Sequence, residues 1–288
     1  YGRIEWRELV LPAIKLAEDG FEVNAALARS LNEVLQKYPQ MARLQKTYAP
    51  PEGRKQWSAG DRLIQGDLAG TLRVIADAGP EAFYEGPIAD QIVAEMKAAG
   101  GVISRADLAA YRAKLREPVH GTYRGYDVFA APLPTAGGVT LVQMLNMLEP
   151  YELRREGRWS ARTLHVLIEC MRRAYRDRAA YLGDPDFVEV PEHLTAKSYA
   201  RELSKSIDLA HATPSAELAG PILLSDEGDS TTHFSIIDKG GMAVANTYTL
   251  EQSYGSKIVV RGAGFLLNNE MGDFNTRPGV TDHRGRIG

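Results

Sequence analysis

Apolar residues recur at three- and four-residue steps through the first two thirds of the chain, a period that predicts helices. Trp6, Leu9, Val10, Ala13 and Ala17 mark one face of a helix ending at Gly20. Leu27, Leu31 and Val34 mark a second, opened by Asn24 as a cap. "PPEGRKQWSAGDR" is rich in turn formers and reads as a connector. "DLAGTLRVIADAG" and "EAFYEGPIADQIVAEMKAAGG" return to the helical period and each ends in glycine, the preferred residue beyond a helix. Ser104 caps a further start in "SRADLAAY". Over 118–131, "PVHGTYRGYDVFAA", the period changes to two on either side of Arg124-Gly125, which predicts a hairpin. "PLPTAGG" then leads into the helix "VTLVQMLNML". Leu164, Leu167, Ile168, Met171 and Tyr175 trace a long amphipathic helix that "LGDPDF" stops, and its many arginines are expected on a solvated face.

After about residue 205 the pattern changes. "DLAHATPSAELAGPILLSDEGDS" is polar and loop-like, and strand signals follow it in quick succession: "THFSIID", the turn "KGG", "MAVANTYTL", "KIVV" and "GFLLNN". A long segment without periodicity inside a compact chain is either a linker or a stretch that must reach an active site and be cut. The elements together support an α+β class.

Composition narrows the function classes. The 288 residues suffice for one large domain or two small ones, and the formal net charge of -3 gives no reason to expect nucleic acid or an anionic membrane as partner. No apolar run approaches the roughly 18 to 20 residues of a membrane span. The single cysteine, Cys170, excludes an internal disulfide framework and a multi-cysteine zinc site, and it falls in an apolar helical pattern suited to a buried structural thiol. The opening "YGRIEW" starts directly in a helix without a Met or a targeting signal, and "VTDHRGRIG" trails off, so the chain is expected to be a piece of a longer protein.

Candidate chemistry centres on "GDSTTHFS". A threonine hydroxyl needs a base, and one solution makes the threonine the first residue of a chain, so that its own α-amine, with a pKa of about 7.7 to 8, takes the proton. An internal threonine has an amide there instead, so such an enzyme must be made as a precursor and cut just before it. Taken alone, two threonines opening a strand are ordinary.

The stretch beginning "TTHFSIIDKGGMAVANTYTLEQSYGSKIVVRGAGFLLNNEMGDFNTRPG" resembles the start of the small subunit of γ-glutamyltransferases. "PAIKLAEDGFEV", "EAFYEGPIADQI", "YRGYDVFAAPLPTAGG", "RRAYRDRAAYLGDPDF" and "LTAKSYA" are similar to segments of that family's large subunit, in the same order. The resemblance implies an N-terminal-nucleophile αββα sandwich, incomplete here, with 1–230 large-subunit-like and mainly helical and 231–288 the β-rich start of the small subunit. The strands of 118–131 and 231–268 are expected in its sheets. It implies an autocatalytic cut at Ser230-Thr231, Thr231 as nucleophile and Thr249 as the hydroxyl that contacts the nucleophile's amine. Glu251, Glu270 and Asp273 match groups that hold the substrate's α-amino group. Read alone, Thr249 is a strand residue facing solvent, and Glu270 with Asp273 is a solvated or calcium-like loop. His233 shares a face with Thr231 in a regular strand and receives no chemical role.

The implied activity is γ-glutamyl transfer and hydrolysis on glutathione or related amides, with an amino acid, a peptide or water as acceptor and no cofactor or metal. A cephalosporin-acylase-like or poly-γ-glutamate amidase activity, a non-catalytic γ-glutamyl-binding relative and an inactive fragment are the alternatives. The family's substrate-binding arginine lies before Tyr1 and its paired serines and Gly-Gly oxyanion loop after Gly288, so the fragment alone is expected to catalyse poorly. The family is typically periplasmic or secreted, and that location is implied here too.

Overall fold

The computed structural model describes residues 2–219 and 231–273. Its elements run in the order α1 (Trp6–Asp19), β1 (Phe21–Glu22), α2 (Ala25–Lys37), α3 (Ala42–Thr47), β2 (Arg62–Leu63), α4 (Gly66–Ala78), α5 (Glu81–Tyr84), α6 (Pro87–Ala99) and α7 (Arg105–Ala110). There follow β3 (Val119–Tyr123), β4 (Tyr126–Ala130), α8 (Gly137–Leu148), α9 (Leu153–Glu156), α10 (Ala161–Tyr181), α11 (Lys197–Lys205), α12 (Ser215–Ala219), β5 (Thr232–Ile237) and β6 (Ala243–Tyr248). The chain divides into two compact units, one of Tyr1–Ala113 with Asp229–Glu270, the other of Lys114–Gly228 with Met271–Gly288.

In the first unit Asn24 caps α2 as the sequence predicts, accepting a hydrogen bond from the Leu27 amide at 2.8 Å. Helix α2 buries Ala28, Leu31 and Val34. The buried face of α1 is displaced from the one its periodicity suggests: of the predicted positions only Ala17 is buried, and Ile14, outside that pattern, is buried with it. Trp6 and Leu9 stay exposed. The predicted continuous helix "EAFYEGPIADQIVAEMKAAGG" is broken into α5 and α6 at Gly86, where a Cβ would stand 2.8 Å from the Ala82 backbone.

Two apolar clusters form the core of this unit. Val23, Leu31, Leu44, Trp57 and Leu63 pack with Val259, and Ala82, Ile88 and Ile92 pack with Val260 and Ala263. Each fully buried aliphatic side chain of this kind stabilises by about 1.5 to 3 kcal/mol. Val259, Val260 and Ala263 are therefore threaded through the core, whereas β5 and β6, the hairpin that begins at the Thr-Thr pair, are exposed along their whole length. "KIVV" and "GFLLNN" do not form the strands expected of them; they share one isolated antiparallel bridge, Val259 to Leu266. The intervening "RGAG" closes a tight turn, with Ala263 N and Gly264 N both donating to Val260 O at 3.1 Å.

In the second unit β3 and β4 form the expected hairpin, in register Val119 to Ala130 through Tyr123 to Tyr126. Helix α10 is capped by Ser160, which accepts from the Thr163 amide at 3.1 Å. It packs Val166, Cys170 and Ala174 against Met147, Ala200 and Leu203. Its arginine run departs from the solvated face predicted for it. Arg173 is 1% exposed, as is Glu169 one turn before it, and the two are joined at 2.6 Å. Arg173 also donates to Ser206 Oγ at 2.9 Å and Thr213 Oγ1 at 3.2 Å. A buried guanidinium persists only when paired and hydrogen-bonded, and both conditions hold here.

Candidate active site

The hairpin β5–β6 carries the Thr-Thr pair. Its turn is shaped by Asp238, whose carboxylate accepts from the Gly240 amide at 2.8 Å and the Met242 amide at 2.9 Å. The register pairs Thr232 with Tyr248 and His233 with Thr247. Cross-strand partners share a face, so Thr231, His233 and Ser235 lie on one side with Thr247 and Thr249, while Phe234 and Ile236 occupy the other. On the polar side, His233 Nδ1 lies 2.6 Å from Thr247 Oγ1 and its Nε2 lies 3.1 Å from Ser235 Oγ. The histidine thus ties the two strands together below the threonines.

Thr231 and Thr249 meet at the end of this row. The Thr231 hydroxyl donates to Thr249 Oγ1 at 3.4 Å, and Thr249 Oγ1 also accepts the Glu251 amide at 2.9 Å. Thr249 is half-buried rather than turned to solvent, whereas Thr231 is exposed, as are both strands of the hairpin. Ser230, the other half of the expected junction, lies outside the described residues.

The acidic residues expected at the substrate's amino group divide. Glu251 has φ +72°, a left-handed conformation that costs a residue with a Cβ of order 1 kcal/mol or more. Its carboxylate oxygen Oε2 is buried without a hydrogen-bond partner among the described residues. A buried carboxylate oxygen of this kind favours a cationic or hydrogen-donating group. Glu270 is half-buried and opens a 3-10 turn, Glu270–Asp273. The backbone of Asp273 closes that turn, and its side chain is outside what is described.

Two residues not singled out from sequence bring these groups together. Asn269 donates its amide to Leu250 O at 3.1 Å and accepts the Gln252 amide on its side chain at 3.2 Å. Asn268 Oδ1 accepts the Glu270 amide at 3.0 Å. The Asn-Asn pair thus clamps 250–252 to the start of the acidic turn. Its sequence signal was present, because asparagine after an apolar run is a turn former. A separate cleft of about 440 Å³ lies within the second unit, lined by Val119, Leu133, Val139, Val190 and Leu194 among others, and none of the threonines or acidic residues above line it.

The profile of the Gamma-glutamyltranspeptidase family matches residues 1–286. The glutathione hydrolase proenzyme of Escherichia coli (strain K12) is 45% identical over 293 residues, covering 100% of this chain and 50% of that protein. Among solved structures, Helicobacter pylori gamma-glutamyltranspeptidase superposes with TM-score 0.73 at 37% identity, over 77% of this chain and 64% of that one. The cephalosporin acylase of Bacillus halodurans superposes with TM-score 0.82 at 28% identity, over 99% of this chain and 52% of that one. Fold and sequence together define an α+β chain of the N-terminal-nucleophile hydrolase type. It belongs to the gamma-glutamyltranspeptidase family. The chain spans about half the length of the curated relatives it matches, 50% of the first.

Proposed function

We propose that this chain carries the nucleophile of a γ-glutamyl acyl-transfer enzyme that is made as a precursor and cut at Ser230-Thr231. The observation that carries the reading is the contact of Thr231 with Thr249 at the end of a polar row on one hairpin face. In the first stage Thr231 Oγ attacks the Ser230 carbonyl. The peptide C–N bond breaks, an ester forms and the threonine amine is freed, and water then cleaves the ester to a Ser230 carboxylate and the Thr231 hydroxyl. In the second stage the free amine takes the hydroxyl proton as Oγ attacks the γ-glutamyl amide of glutathione or a related compound. The departing amine leaves with that proton. Water then releases glutamate from the γ-glutamyl ester, or an amino acid or peptide takes the acyl group.

In this reading Thr249 orients the nucleophile. Glu251, Glu270 and Asp273 hold the donor's α-ammonium, and the buried Oε2 of Glu251 supports that assignment. No helix among the described residues is long and apolar enough to cross a membrane. A periplasmic or secreted location follows from the family resemblance, as does a mature enzyme of two subunits from one precursor. In the full-length precursor, Thr231→Ala should abolish both the cut and glutamate release. A Thr231→Ala precursor that still yields two bands would refute the assignment.

Acylase activity on a glutaryl β-lactam is the second reading, favoured by the superposition on the Bacillus halodurans cephalosporin acylase. A glutaryl group lacks the α-ammonium that buried carboxylate oxygens would recognise, so the acidic pocket favours the γ-glutamyl donor. Glutamate release from glutathione, compared with deacylation of a glutaryl β-lactam by the same preparation, separates the two.

A further inference from the structure

The segment 251–257 concentrates backbone strain beside the threonines. Glu251, Tyr254 and Lys257 have φ +72°, +62° and +64°, and Arg124 is the remaining non-glycine residue at positive φ among those described. Local preference opposes such a run, so the surrounding structure must impose it.

The constraints can be named. Ser256 donates both its amide and its hydroxyl to Leu267 O, each at 2.9 Å. Gly255 sits so close to that carbonyl that a Cβ would stand 2.2 Å from it. Lys257 lies over the Tyr38 ring at 5.4 Å and reaches Gln252 Oε1 at 3.3 Å. At the apex, the Tyr254 hydroxyl meets Ser30 Oγ of α2 at 3.0 Å, 224 residues away in sequence. The Tyr254 ring stands edge-on to buried Tyr48, with centroids 5.9 Å apart. The other end of the segment is the Glu251 amide, which donates to Thr249 Oγ1, the atom that accepts the Thr231 hydroxyl.

We infer that Tyr254 is a positioning residue: latched to Ser30, it holds the strained 251–257 segment so that Thr249 is presented to Thr231. The inference rests on Thr231 being the nucleophile. Ser30 precedes the Ser230-Thr231 bond and Tyr254 follows it, so the latch serves the precursor during the cut and the mature enzyme during turnover. Tyr48 is buried and its main-chain carbonyl accepts Trp57 Nε1 at 2.8 Å, so it gives the latch a packed seat.

The test uses the full-length precursor. Tyr254→Phe and Ser30→Ala each remove one hydroxyl from the latch and leave the rings in place. Each should slow both the cut and kcat for glutathione by about tenfold, the worth of one well-placed hydrogen bond. The double variant should be no slower than either single one, because both delete the same interaction. Ser30→Thr, which keeps a hydroxyl, should restore both rates. Thermal midpoints of the Tyr254→Phe and Ser30→Ala precursors should stay close to the wild type. Wild-type rates in both single variants, additive losses in the double variant, or losses that simply follow a falling midpoint would overturn the inference. A wild-type precursor that never cleaves, or a Thr231→Ala precursor that does, would instead overturn the nucleophile reading on which it rests.

Discussion

Thr71 donates its hydroxyl to the carbonyl of Ala263 at 2.8 Å, across 192 residues of sequence and across the expected cleavage point. Both residues are buried, and Val260 beside them is fully so. Arg43 makes a parallel tie, pairing with Glu95 and donating to Val259 O at 3.3 Å. The core of the first unit is therefore built from both sides of the Ser230-Thr231 bond.

Cutting that bond should not separate the products. After processing of the full-length precursor, the two chains should co-elute on native size exclusion and part only in denaturant. Val260→Asp places an unpaired carboxylate in a fully buried apolar site, a cost of several kcal/mol, and should abolish co-elution. Independent elution of the wild-type products under native conditions would contradict this arrangement.

Removing the Thr249 hydroxyl should impair both chemical stages. Thr249→Val leaves the Thr231 hydroxyl and the Glu251 amide without their shared acceptor. Precursor cleavage and glutamate release should each fall by about a hundredfold, while Thr249→Ser retains most of both. In the proposed mechanism the base of the mature enzyme is the freed α-amine, which works only when neutral. Turnover should therefore rise with pH through about 7.7 to 8 and be lost as the amine protonates below that. A Thr249→Val precursor that processes at the wild-type rate would remove Thr249 from the mechanism.

The parts of this arrangement that were legible in sequence are those encoded locally. Asn24 and Ser104 cap helices within three residues of themselves, and alternation around Arg124-Gly125 suffices for a hairpin. Arg173 was misread because its partners Ser206 and Thr213 lie 33 and 40 residues further on, where no periodicity reports them. The strands expected of "KIVV" and "GFLLNN" failed because their glycine turn and the core contacts of Val259 and Val260 outweigh β-branched preference. From sequence, Thr231, Thr249 and Glu251 are proposed as site residues through family resemblance alone. Their contact depends on hairpin register, and Tyr254 depends on a partner 224 residues distant.

Glu251 should trade stability against substrate binding. Glycine adopts φ +72° without the Cβ penalty, so Glu251→Gly should hold or raise the thermal midpoint. The same variant loses the carboxylate proposed to hold the donor's ammonium, and KM for glutathione should rise about tenfold. Glu251→Gln keeps the backbone strain and loses only the charge, so it should raise KM without a gain in stability. An unchanged KM in both variants would remove Glu251 from the binding site.

The buried pair in α10 predicts how the second unit responds to acid. Burial alone would raise the Glu169 pKa, but hydrogen bonds from Thr213, Arg173 and Arg172 outweigh it and hold the carboxyl at about 2, below its ordinary 4.5. A depressed folded-state value means the stabilisation is complete above the unfolded-state pKa and disappears as pH falls toward 2. Stability of this unit should thus decline between about pH 4.5 and 2, by an amount of order 3 kcal/mol from this group. Glu169→Gln leaves Arg173 buried without its counter-charge, so at neutral pH the variant should be less stable by a comparable amount. Its stability should vary less with acid, and the two curves should converge near pH 2. Denaturant midpoints measured from pH 7 to 2 on both proteins would check this, and parallel curves would show that the Glu169–Arg173 pair is not the acid-sensitive element.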